Sequence, residues 1–305
     1  MKFSPKNVAF GRHETFVLRY SWLSKGFEEF IENPNIFNSE EAMVTLGVGK
    51  NMVSSIRYWL LASQMIMSDQ KGYQPTEYGN LLLGKGGYDP YLEDEGTLWL
   101  VHWLIASNPT LATAWYWFYN HYHKTEFTTV DVTNSLLNFY RENIQKKVSE
   151  STLKQESSMI LRMYSKSRGN TRTTLEDALD SPLTTLNLVS QSPGGRIYNS
   201  YPDERYNLPE EILAISLLEI FKQTGLEQIS LTDLMYAKGN FAAPGAVFRL
   251  TESSLINKLE ILTRKFPKML KVQETAGINQ LYLLKEESIE YLLDIYYLKK
   301  LSKAA

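Results

Sequence analysis

The sequence predicts a mostly α, multi-helical protein with two winged helix-turn-helix units, one near each end, and three observations carry that expectation. Asn38 to Ile66, NSEEAMVTLGVGKNMVSSIRYWLLASQMI, reads as helix, glycine turn, helix and strand. Pro209 to Leu284 repeats that grammar and closes on two alternating runs around Ala276 and Gly277, as hairpin strands do. Between them, Asp89 to Tyr119 is dense in aromatics, with Trp99 and Trp103 four apart and apolar residues on most sides, the pattern of a buried helix or helical pair.

The elements follow in order. Phe10 to Phe30 places Phe16, Leu18, Trp22, Leu23, Phe27 and Phe30 in a buried opening segment that leads into a helix. The first helix of the helix-turn-helix is expected to open at Asn38 or Ser39, whose side-chain oxygens accept from free amide N–H groups, with Glu40 and Glu41 at the positive end of its dipole. Gly47 and Gly49 break it. In the second helix, steps of about 100° gather Met52, Val53, Ile56, Trp59, Leu60 and Ser63 on one arc, with Lys50, Asn51, Ser54, Ser55, Arg57 and Tyr58 opposite. Met65 to Pro75 reads as two short strands around Gly72, a wing, and Thr76 caps the short helix EYGNLLL. Thr129 to Lys147 is an amphipathic helix with Leu136, Leu137, Tyr140 and Ile144 as its stripe, and Ser151 to Tyr164 continues in helical style. Ser165 to Thr174 has no periodicity and is read as a linker. Pro209 starts the next helix, Ser230 caps another, and Thr251 to Phe266 forms a third with Leu255, Leu259, Leu262 and Phe266 inside. Four regions result: 1–88, an aromatic helical region at 89–164, a linker and loop segment at 165–205, and 206–305.

A chain of 305 residues has room for more than one core, and 43% hydrophobic with 22% charged residues is ordinary for a soluble protein. No uninterrupted apolar run suits a bilayer span, no secretory h-region is present at MKFSPKNVAF, and zero cysteines exclude disulfides and thiolate metal sites. A cytoplasmic protein without membrane attachment is expected. A net charge of −2 argues against a general phosphate coater, so any DNA contact must use local patches.

The first such patch is Lys50, Asn51, Ser54, Arg57 and Tyr58, where Arg57 suits guanine and Asn51 suits adenine in a major groove, with Lys71 on the wing reaching phosphate. A second is Lys258, Arg264 and Lys265, interrupted by Glu260, and the linker basics Lys166, Arg168 and Arg172 form a third. The same faces serve equally as protein contacts in a scaffold. GVGKN fails as a phosphate loop because Val44 and Asn51 stand where a glycine and a hydroxyl are required. Asp89, Glu93, Asp94 and Glu95, with His102 beyond, offer oxygen ligands for a divalent metal, but acids at a helix start are favoured without an ion. His121 and His123 flank Tyr122 and with His13 or His102 would make a zinc set, yet no H-E-x-x-H is present, and no cofactor is expected. The tryptophans could stack bases; their helical spacing assigns them to core.

Six strings together resemble the DUF4007 family of bacterial proteins: FGRHETFVLRYSWLSKG from Phe10, LGVGKNMVSSIRYW from Leu46, DPYLEDEGTLWLVHWLIASNP from Asp89, ATAWYWFYN from Ala112, EDALDSPLTTLNLV from Glu176 and PGAVFRLTE from Pro244. The resemblance covers nearly the whole chain. It implies a role around DNA modification or restriction, because the family is met near DNA phosphorothioation and defence genes, including sulfotransfer-type, PAPS-reductase-like proteins. The function expected is therefore a non-enzymatic DNA-binding recognition or regulatory component. The partners expected are double-stranded DNA and DNA-modification or sulfotransfer-type proteins, with a homodimer presenting paired recognition helices. A scaffold bridging modification enzymes is the alternative, and a metal-dependent nuclease the third reading.

Overall fold

The computed structural model describes residues 2–166, 181–238, 241–275 and 278–304. It is mostly α. The first layer is α1 (Tyr20–Glu32), α2 (Ala42–Leu46), α3 (Lys50–Ala62), the antiparallel pair β1 (Ile66–Asp69) and β2 (Gly72–Pro75), and α4 (Glu77–Leu83). α2 starts later than the sequence suggests. Residues 36–38 form a single 3-10 turn, and Ser39 Oγ accepts from the Glu41 N–H at 3.1 Å, a turn-forming bond that competes with capping. Gly47 ends α2 at φ +63, a conformation cheap only for glycine, and reverses the chain into α3. At Gly26, α1 crosses α3 so closely that a Cβ would stand 2.5 Å from Ile56 Cγ2. The hairpin runs in register from Ile66 opposite Pro75 to Asp69 opposite Gly72, and Thr76 caps α4 by accepting from Gly79 N–H at 3.0 Å.

The middle layer is α5 (Glu95–Ala106), α6 (Thr113–His121), the short strand β3 (Glu126–Phe127), and the packed pair α7 (Thr129–Asn143) and α8 (Glu150–Tyr164). All six tryptophans lie between 0% and 4% exposed, which makes them core and removes the base-stacking platform. β4 (Ser190–Gln191) and β5 (Tyr198–Asn199) join β3 in the order β3-β5-β4. Leu183 and Leu186 of the preceding 3-10 turn are buried.

The last layer is α9 (Glu210–Thr224), β6 (Gln228–Ser230), α10 (Leu231–Tyr236), α11 (Pro244–Val247), α12 (Glu252–Lys265), the strands β7 (Leu270–Thr275) and β8 (Ile278–Leu283), and α13 (Ile289–Ala304). Its sheet order is β6-β8-β7, all antiparallel. Ser230 and Thr251 cap α10 and α12 as their positions suggest. Two buried polar side chains join this layer to the middle. His102 Nε2 faces Val247 O at 2.9 Å while Nδ1 meets the Tyr164 hydroxyl at 2.8 Å, which assigns the proton to Nε2; burial holds its pKa down at about 3. Arg249, at φ +51, donates to Phe118 O, Tyr119 O and Tyr122 O, covering the carbonyl end of α6, and its pKa is lowered to about 10 by the same burial. Among the described residues no helix is long and apolar enough to cross a membrane.

Candidate nucleic-acid interface

α3 is sunk into the fold by all but one stripe. Val53, Ile56, Trp59, Leu60 and Ala62 are buried, whereas Lys50 and Asn51 are exposed and Ser54 and Arg57 half-buried, so the polar stripe follows 50, 54 and 57 with Asn51 beside it. Gly49, with no atom near its would-be Cβ, precedes the helix without a side-chain cap; Met52 N–H turns back to Gly49 O at 2.9 Å, and the Lys50 and Asn51 N–H groups are left without a capping side chain. Behind the turn, Lys25 donates to Leu46 O at 3.1 Å and holds the carboxyl end of α2.

Tyr58 is a correction. It is 7% exposed and donates to Leu111 O at 3.1 Å, because the loop after α5 and the N-terminal loop at Gly11–Thr15 cover that flank of α3. Burial, and after it the charge of Glu156, push its phenol well above the usual range. Ser55 is likewise buried, donating to His13 O at 3.0 Å. Lys71 is exposed at the tip of the β1–β2 hairpin, where its N–H donates to Asp69 Oδ1 at 2.7 Å.

The second basic face is also corrected. Lys258 is 6% exposed, its ammonium donating to Leu208 O at 3.1 Å, and burial lowers its pKa; the loop before α9 closes over it. Lys265 pairs with the buried Glu211, which leaves Arg264 as the exposed member of that trio. Lys166 is exposed after α8, and Arg168 and Arg172 lie outside the described residues.

The acidic segment is occupied by the fold itself. Asp89 accepts from the N–H groups of Glu93 and Asp94, each at 2.9 Å, and Asp94 caps α5 while receiving the Tyr296 hydroxyl at 2.7 Å and the Lys300 ammonium. Among the described residues no group of three or more His, Asp or Glu is placed to hold a metal. His102 is far inside the core, and His121 and His123 lie near the surface with pKa values lowered by burial, His121 stacking on Phe139 at 5.6 Å.

Two features escaped sequence reasoning. A cleft of ≈360 Å³ lies between α4, α5 and α9, lined by Gln64, Tyr78, Trp103, Glu219 and Lys222. Glu219 there accepts from Tyr78 Oη at 2.6 Å and Trp103 Nε1 at 2.5 Å, and burial raises its pKa. The other is a buried close approach of His13 Nε2 to Glu156 Oε2 at 3.2 Å, both side chains 1% exposed. Neither left a signal in the sequence, since the partners are over a hundred residues apart.

The comparisons agree over nearly the whole chain. The model of the family DUF4007, a protein of unknown function, matches residues 10–297. A solved structure titled as a magnesium ion-bound SspB crystal structure is 29% identical with a TM-score of 0.83, covering 95% of this chain and 88% of that one. A second SspB crystal structure is 30% identical at a TM-score of 0.81 with the same coverage. No curated protein matches the chain.

Proposed function

The chain belongs to the DUF4007 family, and from that premise we propose that it is a non-enzymatic DNA-binding component, a recognition or regulatory subunit, of a bacterial DNA modification or defence system. The observation that carries this reading is the stripe Lys50, Asn51, Ser54 and Arg57 on an otherwise buried helix. α1–α3 with the β1–β2 hairpin, and α9–α12 with the β6-β8-β7 sheet, are each read as a winged helix. In a helix-turn-helix the second helix enters the major groove and its N-terminal residues touch base edges. Here that end is the exposed one. Arg57 reads guanine, Asn51 reads adenine, and the uncapped N–H groups of Lys50 and Asn51 with the Lys50 ammonium receive a phosphate. Lys71 on the hairpin takes a second phosphate. A two-fold dimer would set paired α3 helices about 34 Å apart on successive half-sites.

The test is duplex binding by fluorescence anisotropy over a salt series, with modified and unmodified DNA. With three or four phosphate contacts, the slope of log K against log salt is about −3. Absence of binding at low salt overturns the reading.

A second reading, a protein scaffold for DNA-modification or sulfotransfer-type enzymes, is favoured by Val44, 85% exposed, and Met43, 45% exposed, on α2. A salt-insensitive protein complex together with no DNA affinity selects it. A metal-dependent nuclease draws on the magnesium ion named for the similar SspB structure. The acidic segment does not fit that ion, because Asp89 and Asp94 are committed to backbone N–H groups, Tyr296 and Lys300. No hydrolytic step is derived from it.

A further inference from the structure

The N-terminal loop Gly11–Thr15 is anchored on α3 itself. Ser55 Oγ donates to His13 O at 3.0 Å and Trp59 Nε1 donates to Phe16 O at 3.1 Å, so the loop rides beside the polar stripe. Its backbone is strained at Glu14 and Thr15, with φ of 49° and 65°, a region that a β-branched residue rarely adopts. Strain of this kind persists only where surrounding structure over-determines it.

The over-determination is visible. Glu156, on α8, accepts from the Gly11 N–H and its other oxygen lies 3.2 Å from His13 Nε2, while His13 Nδ1 accepts the Thr15 N–H at 3.1 Å, which assigns the ring proton to Nε2. Ala9 N–H donates to Thr113 Oγ1 at 3.0 Å and Lys146 Nζ to Val8 O at 3.0 Å, fixing the approach. A buried ionisable pair is a costly way to hold a loop compared with apolar packing, and its use ties the loop to one geometry. What that geometry presents is Arg12, which is exposed and lies between the two anchored ends, with no partner among the described residues.

We propose that the loop Gly11–Thr15 is a second element of the DNA interface, in which Arg12 binds a backbone phosphate flanking the groove entered by α3 and Glu156 acts as its positioning residue. This rests on the DNA-binding reading of α3. Arg12 contributes a sequence-independent contact, since a phosphate contact fixes register without reading bases.

The experiment is a double-mutant cycle on duplex binding with full-length protein, using R12A, R12K, E156Q, R12A/E156Q and R57A over a salt series. R12A is expected to weaken all duplex sequences alike, by about tenfold, and to reduce the salt slope by about one, with R12K restoring the slope. E156Q is expected to weaken binding in the wild-type background and to add nothing in the R12A background, which a merely structural loss of fold would not do. R57A weakened while R12A binds as wild type overturns this proposal and leaves α3 as the interface. R57A and R12A both unchanged overturns the α3 reading and this proposal together. Equal losses from E156Q with and without Arg12 remove Glu156 from the positioning role.

Discussion

The Tyr78 hydroxyl donates to Glu219 Oε1 at 2.6 Å, joining the helix that follows the N-terminal hairpin to α9, 141 residues further on. Trp103 Nε1 donates to the other oxygen at 2.5 Å, so one carboxyl ties together a residue from each of the three layers. Both donors are buried, at 6% and 1% exposure. Glu219→Ala strands two buried donors and is expected to cost about 2–4 kcal/mol, against about 1 kcal/mol for Tyr78→Phe. Urea denaturation measures both. Equal costs would show that Trp103 does not depend on this carboxyl.

Arg57→Ala is expected to lower duplex affinity by roughly 5- to 100-fold, the worth of one bidentate base contact. Stability should move by no more than about 0.5–1 kcal/mol, because the side chain sits off the apolar arc. Anisotropy and thermal unfolding on the same preparation separate the two effects, and unchanged affinity in a folded variant removes α3 from the mechanism.

Lys258→Ala has the opposite signature. Its ammonium satisfies Leu208 O inside the fold, so the loss is expected in stability, about 1–3 kcal/mol, with DNA affinity unchanged. A variant as stable as wild type but weaker on DNA would return this lysine to the interface.

His102 makes stability depend on acid. Its folded pKa of about 3 lies below the ordinary value of 6.5, so the unfolded chain takes up the proton first. The stabilisation is complete above pH 6.5 and is lost as pH falls toward 3, at about 1.4 kcal/mol per unit. Between pH 7 and pH 5 the wild type should lose about 2 kcal/mol more than His102→Gln, which lacks the titration. Parallel losses in the two proteins would refute the assignment.

Gly26→Ala forces α1 away from Ile56 and is expected to cost about 1–3 kcal/mol by overpacking. Removing the obstructing methyl in Gly26→Ala/Ile56→Ala should make the combined cost less than the sum of the two single changes. An additive cost for the two changes would mean that the helices are not in the contact described.

Local chemistry was legible in the sequence. The glycine turn after α2, the hairpin at Ile66–Pro75, the caps at Thr76, Ser230 and Thr251 and the burial of the aromatic middle are each settled by residues within a turn or two of one another. Two local boundaries differ: α2 starts late because of the turn made by Ser39, and α7 ends at Asn143 rather than Lys147, with Ile144 already extended.

The sequence by itself therefore determined a mostly α chain, the two hairpins β1–β2 and β7–β8, and the apolar arc of α3. Periodicity and capping act at short range and need no tertiary partner. Only the tertiary structure decided which polar side chains remain available. Tyr58 and Lys258 carry the same residue types as a binding face, yet each is covered by a loop tens of residues away and spends its polar group on a carbonyl there. Asp94 is taken by Tyr296 and Lys300, and His13 by Glu156, across 202, 206 and 143 positions. Burial is a property of what packs against a surface, and helical spacing specifies the surface without specifying its cover.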